Sequence, residues 1–329
     1  MPNLKILLVG GEGYVGKVIS KNLIRNKFKV TSFDNLIYNQ PKPKSNKLFQ
    51  FIKGDITNTD DLKKLFKKDY DFLVLLAGLV GDPITKKYPK SSKEINLKGV
   101  KKVINFYYKS KIKKILFIST CSNYGVINKN IFAKENYKLN PKSLYAKHKV
   151  NIEKYLISKK NETKPYVILR FSTAYGTSER MRFDLTINQF VKDLFFRKRV
   201  EVYDAETFRP YCYTSDFAKV IIKLIKNKDK KTINEIYNIG STDNNFSKRM
   251  IVNKISKFFK KKDIKYLDGK KDPRNYKVNF GKFKSNFKFK FMPIDKGIDQ
   301  IITFLKKNKS SLRKTSNKLG NYHIKTKKI

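Results

Sequence analysis

An open parallel sheet with helices on both faces, followed by a small C-terminal lobe, is the fold this sequence predicts. Three observations carry that prediction. An apolar run at residues 4–9 leads into Gly10, Gly13 and Gly16 and then at once into a helical pattern. Further on, short apolar runs of strand length alternate with helical stripes, which calls for parallel strands joined by right-handed crossovers. The chain has 329 residues, 40% of them hydrophobic, enough for one large α/β domain with a smaller lobe.

The opening run is Leu4, Ile6, Leu7, Leu8 and Val9, the length of a buried strand. Its glycines are spaced G-x-x-G-x-x-G, and Val15, Val18, Ile19, Leu23 and Ile24 give the stripe of the helix that follows. Strand, glycine turn and helix in that order form the phosphate-cradling start of a dinucleotide-binding unit, the Rossmann-type arrangement. Gly10 permits the tight turn, Gly13 lets backbone approach a pyrophosphate, and Gly16 lets the helix lie close. Tyr14 and Val15, inside the turn, count with them as cofactor-binding residues. The helix N-terminus offers free N–H groups to the anion. A second strand at 28–33 runs into Asp34, near the spacing of about 20 residues expected for an acid on the adenosine ribose.

After Asp34, a Pro- and Lys-containing stretch at 39–47 reads as a loop. A third strand at 48–52 ends in Gly54-Asp55-Ile56. Asp55 stands beside the nucleotide crevice, or serves as a turn residue entering the next helix. A short helix at 60–68 precedes a fourth strand at 71–76, which closes on Ala77-Gly78, small enough for close passage of a cofactor. A long helix at 92–109 carries the stripe Ile95, Val100, Val103, Ile104 and Tyr107. A fifth strand at 115–118 runs into Ser119, Thr120, Cys121 and Ser122.

Beyond a loop ending in Asn140-Pro141-Lys142-Ser143, Tyr145 and Lys149 lie four apart on one helix face. An ammonium near a phenol favours the phenolate, so Tyr145 is expected to titrate below its ordinary value and to act as a general base. Cys121 offers a proton donor, or a small buried residue lining the site.

Composition narrows the setting. Cys121 and Cys212 are the only cysteines, and no Cys/His cluster suggests a metal, which fits a reducing compartment. The N-terminus enters the first strand directly, and no apolar run reaches about 18 residues, so a cytoplasmic protein without a membrane span is expected. The net charge of +48 comes almost wholly from lysines spread over every segment. That distribution reads as a solvated lysine surface; nucleic-acid sites are clustered and often arginine-bearing, so no nucleic-acid partner is expected. Residues 306–329 lack hydrophobic periodicity and read as a loose basic tail.

Taken together the motifs resemble the extended short-chain dehydrogenase/reductase family, in its NAD-dependent nucleotide-sugar epimerase/dehydratase branch. The pieces that carry the resemblance are the glycine turn, Asp34, Gly54-Asp55-Ile56, Leu76-Ala77-Gly78, Asn96-x-x-Gly99, the run from Ser119 to Gly125, Tyr145-x-x-x-Lys149 and the run from Leu169 to Gly176. Arg209-Pro210-Tyr211, Thr214-Ser215-Asp216 and Tyr237-Asn238-Ile239-Gly240 continue it, so that it spans roughly residues 4–305. The resemblance implies Tyr145 as base, Lys149 as its partner on the nicotinamide ribose, and Thr120 bonding the reacting hydroxyl. It also implies Asp34 on the adenosine ribose, Asp55 and Ile56 beside the adenine, and Ala77 against the cofactor. An acid at position 34 with no arginine near it in sequence favours NAD over NADP.

The departures matter too. The family's 4,6-dehydratases carry Asp-Glu after the catalytic Thr, whereas this chain has Cys121 and Ser122, which argues against a dehydratase of the usual kind. Thr173 stands where an asparagine is common. In the C-terminal third, helices are expected at 183–196, 215–226 and 246–260, with a strand at 200–203. Arg182, Arg209 and Arg274 fall in segments that the family uses for the sugar nucleotide, and Arg209 and Arg274 match positions gripping its diphosphate; guanidinium suits paired phosphate oxygens.

The expected layout is a Rossmann domain at 1–176, rejoined by 210–242, and a substrate lobe from 177–209 and 243–305. The expected function is a 4-epimerase-like enzyme of nucleotide sugars, working through a transient 4-keto intermediate in surface-polysaccharide or sugar-nucleotide metabolism. A homodimer paired through 92–109 and 143–159 goes with it. A keto-sugar reductase or dehydrogenase, an atypical dehydratase, and a non-enzymatic nucleotide sensor or nucleic-acid binder remain as alternatives.

Overall fold

The computed structural model describes residues 4–38, 40–128, 130–159, 164–227, 229–268 and 274–324. The first half runs β1 (Lys5–Val9), α1 (Tyr14–Arg25), β2 (Lys29–Asp34), β3 (Phe49–Lys53), α2 (Thr59–Phe66), β4 (Phe72–Leu75), α3 (Asp82–Lys87), α4 (Pro89–Lys93), α5 (Val100–Lys109), β5 (Lys114–Thr120), β6 (Phe132–Ala133) and α6 (Leu144–Ser158). The second half runs β7 (Tyr166–Phe171), β8 (Thr173–Tyr175), α7 (Thr186–Phe195), β9 (Val200–Tyr203), β10 (Phe208–Tyr213), α8 (Thr214–Lys226), β11 (Glu235–Ile239), β12 (Asn245–Ser247), α9 (Lys248–Ser256), β13 (Ile264–Leu267), β14 (Lys277–Val278), α10 (Gly281–Phe287), α11 (Ile294–Lys307) and α12 (Lys309–Thr315).

The central sheet is parallel throughout, in the order β11-β7-β5-β4-β1-β2-β3. Strand alternation divides its side chains between two cores. Ile6 and Leu8 of β1 face Ile19 and Leu23 of α1 and the apolar stripe of α8. Leu7 and Val9 face α2, α5 and α6 through Leu62, Val103, Ile104, Ile152 and Leu156. The strand order reverses between β1 and β4, and that switch point opens a crevice at the C-terminal ends of the strands. A third core, built on α7, α9, α11 and β9–β10, lies under the C-terminal lobe.

Three expectations about local structure change. The helix expected at 92–109 is interrupted by a wide π-helical turn over Glu94–Gly99. The turn aims Asn96 at the loop after β4: its Oδ1 accepts from Leu79 N at 2.7 Å and its Nδ2 donates to Leu79 O at 3.0 Å. The helix expected at 246–260 is shorter, because Asn245–Ser247 pairs with β10 and Ser247 caps α9 by accepting from Met250 N. Residues 306–324 are not a loose tail. Leu305 and Leu312 are buried in the lobe core, and Phe183 N donates to Leu319 O at 2.8 Å, which carries the chain back toward the crevice. Residues 325–329 of that segment lie outside the described residues.

No helix among the described residues is long and apolar enough to cross a membrane. Among the same residues no group of three His, Cys, Asp or Glu side chains could hold a metal ion.

Candidate active site

The crevice at the switch point is a cleft of about 540 Å³. Its floor is the glycine turn. Gly10 has φ +87°, and a Cβ there would meet Ala77 N at 2.6 Å, so β1 and the end of β4 touch only because this residue is glycine. A Cβ on Gly16 would lie 2.5 Å from Gly10 O, so Gly16 seats α1 on the turn itself. Gly13 differs: its nearest neighbour would be 3.6 Å away, and a side chain there would project into open cleft. Gly13 also precedes α1 without any side-chain cap, so the helix's first N–H groups stay available to an anion. A pyrophosphate fits this cradle.

Asp34 closes β2 at the cleft wall. Burial pushes its carboxyl up, and hydrogen bonds from Leu36 N (2.8 Å) and Glu12 N (3.0 Å) act in the opposite direction. Arg180, far away in sequence, brings a positive charge near Asp34. The expectation of no arginine nearby held only along the chain. Ile56, Ala77, Tyr14 and Val15 line the cleft with the glycines. Tyr14's hydroxyl is turned into the lobe, donating to Gly176 O at 2.7 Å. Asp55 sits between cleft-lining Gly54 and Ile56, with its carboxylate engaged by its own loop. Its Oδ1 accepts from Thr57 N (2.9 Å) and Thr57 Oγ1 (2.8 Å), and its Oδ2 from Asn35 Nδ2 (3.2 Å), the behaviour of a turn residue.

β5 and α6 bring Thr120, Tyr145 and Lys149 to one end of the cleft. Ser143 caps α6 by accepting from Ala146 N at 3.2 Å, which sets Tyr145 in the helix's first turn. Thr120 Oγ1 accepts from Ser122 N at 3.1 Å at the end of β5. Lys149 Nζ donates to Ile118 O at 2.7 Å and lies 5.9 Å from the centre of the Tyr145 ring.

The expected lowering of the Tyr145 phenol is not found. Burial pushes it up, and the negative charge of Asp82 pushes the same way. Lys149 does not offset this, because its ammonium is aimed at a carbonyl and is itself lowered to about 8 by burial, against the pull of Glu153.

Lys149 therefore costs folding free energy while charged. Its unfolded value is near 10.4, so between about 8 and that value the unfolded chain binds more protons and stability rises with pH. The penalty is complete below about 8. With cofactor removed, K149M is expected to gain on the wild type by about 2 kcal/mol at pH 7 relative to pH 10. Thermal melts at the two pH values check this; a difference that does not change with pH rules it out.

Cys121 does not reach the cleft. Its Sγ donates to Arg170 O at 3.1 Å and burial pushes its thiol up. It is a small buried residue, as the second option had it, but the side chain that lines the cleft is that of its neighbour Ser122.

Behind Thr120 lies a buried polar network. Glu153 accepts from Ser119 Oγ, from Asn123 Nδ2 (2.7 Å), and from Arg170 Nη2 (2.7 Å) and Nε. Arg170 Nη1 continues to Tyr124 Oη (3.0 Å) and Glu135 O (2.8 Å).

All three expected arginines line the same cleft. Arg182 is held by Asp184, with Nε donating to Oδ1 at 3.0 Å. Arg209 lies over the Tyr276 ring at 4.9 Å, with Nη1 on Phe208 O. Arg274 pairs with Asp82 at 2.5 Å. Sequence reasoning missed Asp82, Tyr38, Arg180, Asn321 and Tyr322, which also line the cleft. For the last two there was one signal, an aromatic and a glycine in Leu319-Gly320-Asn321-Tyr322 inside an otherwise lysine-rich stretch.

A family model described as NAD dependent epimerase/dehydratase matches residues 6–240. An uncharacterized protein of Methanocaldococcus jannaschii is 31% identical over 260 residues, covering 72% of this chain and 76% of that protein. Among solved structures, the UDP-glucuronic acid 4-epimerase of Bacillus cereus, in complex with UDP-glucuronic acid and NAD, superposes with a TM-score of 0.81 at 25% identity, covering 92% of this chain and 99% of the other. The UDP-N-acetylglucosamine 4-epimerase of Methanobrevibacter ruminantium, in complex with UDP-N-acetylmuramic acid, gives 0.82 at 25% identity, covering 94% and 100%.

Proposed function

The chain belongs to the NAD-dependent epimerase/dehydratase family, and from that premise we propose that it is a nucleotide-sugar 4-epimerase. The observation that carries the reading is one cleft holding Thr120, Tyr145 and Lys149 beside the glycine turn, with Arg182, Arg209 and Arg274 facing the same space. The 4-epimerases among similar structures, acting on UDP-glucuronic acid and UDP-N-acetylglucosamine, support a UDP-sugar as the substrate class.

The bound nicotinamide supplies a hydride acceptor and donor. The protein does the rest. Gly10, Gly13 and Gly16 seat the pyrophosphate, Ile56 and Ala77 line the cofactor's bed, and Asp34 receives the adenosine ribose. Tyr145, as the phenolate, takes the proton from the sugar 4-hydroxyl and gives it back when the ketone is reduced, and Thr120 Oγ1 bonds the same oxygen. Burial holds the phenol protonated at rest, so positive charge must come to it; Arg182 is the chain's own source as it stands, and Lys149 becomes one only by turning from Ile118 O toward the phenol. Arg209 and Arg274 hold the substrate's diphosphate, leaving the 4-keto sugar free to turn in the site.

The deciding experiment incubates the protein with a panel of UDP-sugars in heavy water and reads the products by NMR. An inverted C4 without solvent deuterium on carbon is expected, since the hydride returns directly. Stoichiometric consumption of added NADH would point to a reductase instead. Loss of water with deuterium at C5 would point to a dehydratase. Asp82 favours that second reading: it is an acid in the cleft whose field reaches Tyr145, although Cys121 and Ser122 occupy the family's acid positions.

A further inference from the structure

We propose that residues 320–324 are a clasp that retains the cofactor, with Asn321 as its positioning residue. The segment closes on two loops that flank the glycine turn. On one side Asn321 Nδ2 donates to Val80 O at 3.1 Å, in the loop after β4. On the other, Asn321 Oδ1 accepts from Arg180 Nη2 at 2.7 Å, and the Arg180 guanidinium lies over the Tyr38 ring at 4.4 Å, in the loop after β2. Tyr38 N donates to Gln40 Oε1 (3.0 Å), and Gln40 Nε2 donates to Glu12 O (3.2 Å) in the turn itself. Ile324 repeats the bridge in apolar contacts, packing with Leu79 and Ile84 and with Ile37 and Tyr38. Lys87 Nζ sits 3.0 Å from His323 Nδ1.

β1 lies between β2 and β4 in the sheet. A bridge from the loop after β2 to the loop after β4 therefore crosses over the end of β1, where the dinucleotide's phosphates are cradled. Asn321 is buried and spends both ends of its amide on this crossing. An epimerase must return the hydride to the same sugar that gave it, so a cofactor held through the whole cycle serves it. The clasp itself rests only on NAD occupying the cleft, not on which sugar is turned over.

The test loads the full chain with NADH, chases with excess NAD, and follows the loss of bound-NADH fluorescence. Compared with the full chain, a chain ending at Leu319 is expected to release NADH about tenfold faster, and N321A several-fold faster. R180A should accelerate release as well, and the N321A/R180A pair should be less than additive, since both cut one bridge. Release at the full-length rate from the shortened chain overturns the proposal. Should the shortened chain fail to fold, N321A decides by the same comparison, with its melting temperature recorded alongside. A full chain that retains NADH but turns over no sugar would fault the epimerase reading and leave the clasp standing.

Discussion

Y145F is expected to lower turnover by about 10²–10⁴-fold, the range that a positioned general acid–base group supplies. The substitution removes one hydroxyl from a side chain that faces the cleft on the first turn of α6. The ring stays, so its packing stays, and the melting temperature should not move measurably. Cofactor content measured after acid release should equal that of the wild type, because the glycine turn and Asp34 are untouched. A mutant that keeps wild-type turnover removes Tyr145 from the chemistry. A mutant that loses both turnover and cofactor makes it a binding residue instead.

E153A carries the second large effect, on stability. Glu153 and Arg170 are 1% and 3% exposed, and the carboxylate satisfies Arg170, Ser119 and Asn123 together. Removing it leaves a guanidinium buried without its counter-charge, which costs about 3–5 kcal/mol. For a chain of this size that corresponds to roughly 5–10 °C in melting temperature. Adding R170M to E153A removes the stranded charge and should recover much of the loss. If the double variant melts no higher than E153A, the loss came from packing and not from the stranded charge. Ser119 adjoins Thr120 at the end of β5, so residual activity in E153A should fall further than its folded fraction accounts for.

The parts of the site that could be read from the sequence are those fixed by local spacing. The glycine turn follows its strand directly, Asp34 ends the next one, and Tyr145 and Lys149 share a helix face whatever packs around them. Their electrostatics could not be read that way. Lys149 is aimed by β5, through the carbonyl of Ile118, and Asp82 arrives from another loop. Asp55 follows a strand beside the cleft, as its position suggests, but the hydrogen bonds that fix its carboxylate, from Thr57 and Asn35, could not be read from spacing. Arg180 and Asn321 stand 141 residues apart in sequence and meet only in the folded chain. The π-helical turn has no spacing signature either, because a helix stripe tolerates one wide turn while Asn96 is redirected.

A cleft wall contributed by Asn321 and Tyr322 ties the finished site to residues translated long after the last strand of the sheet. The sheet and its glycine turn can assemble while the remainder of the polypeptide is still on the ribosome, but that wall arrives only once residues 321 and 322 have been made. A chain truncated before Asn321 would thus yield a folded protein with an incomplete pocket.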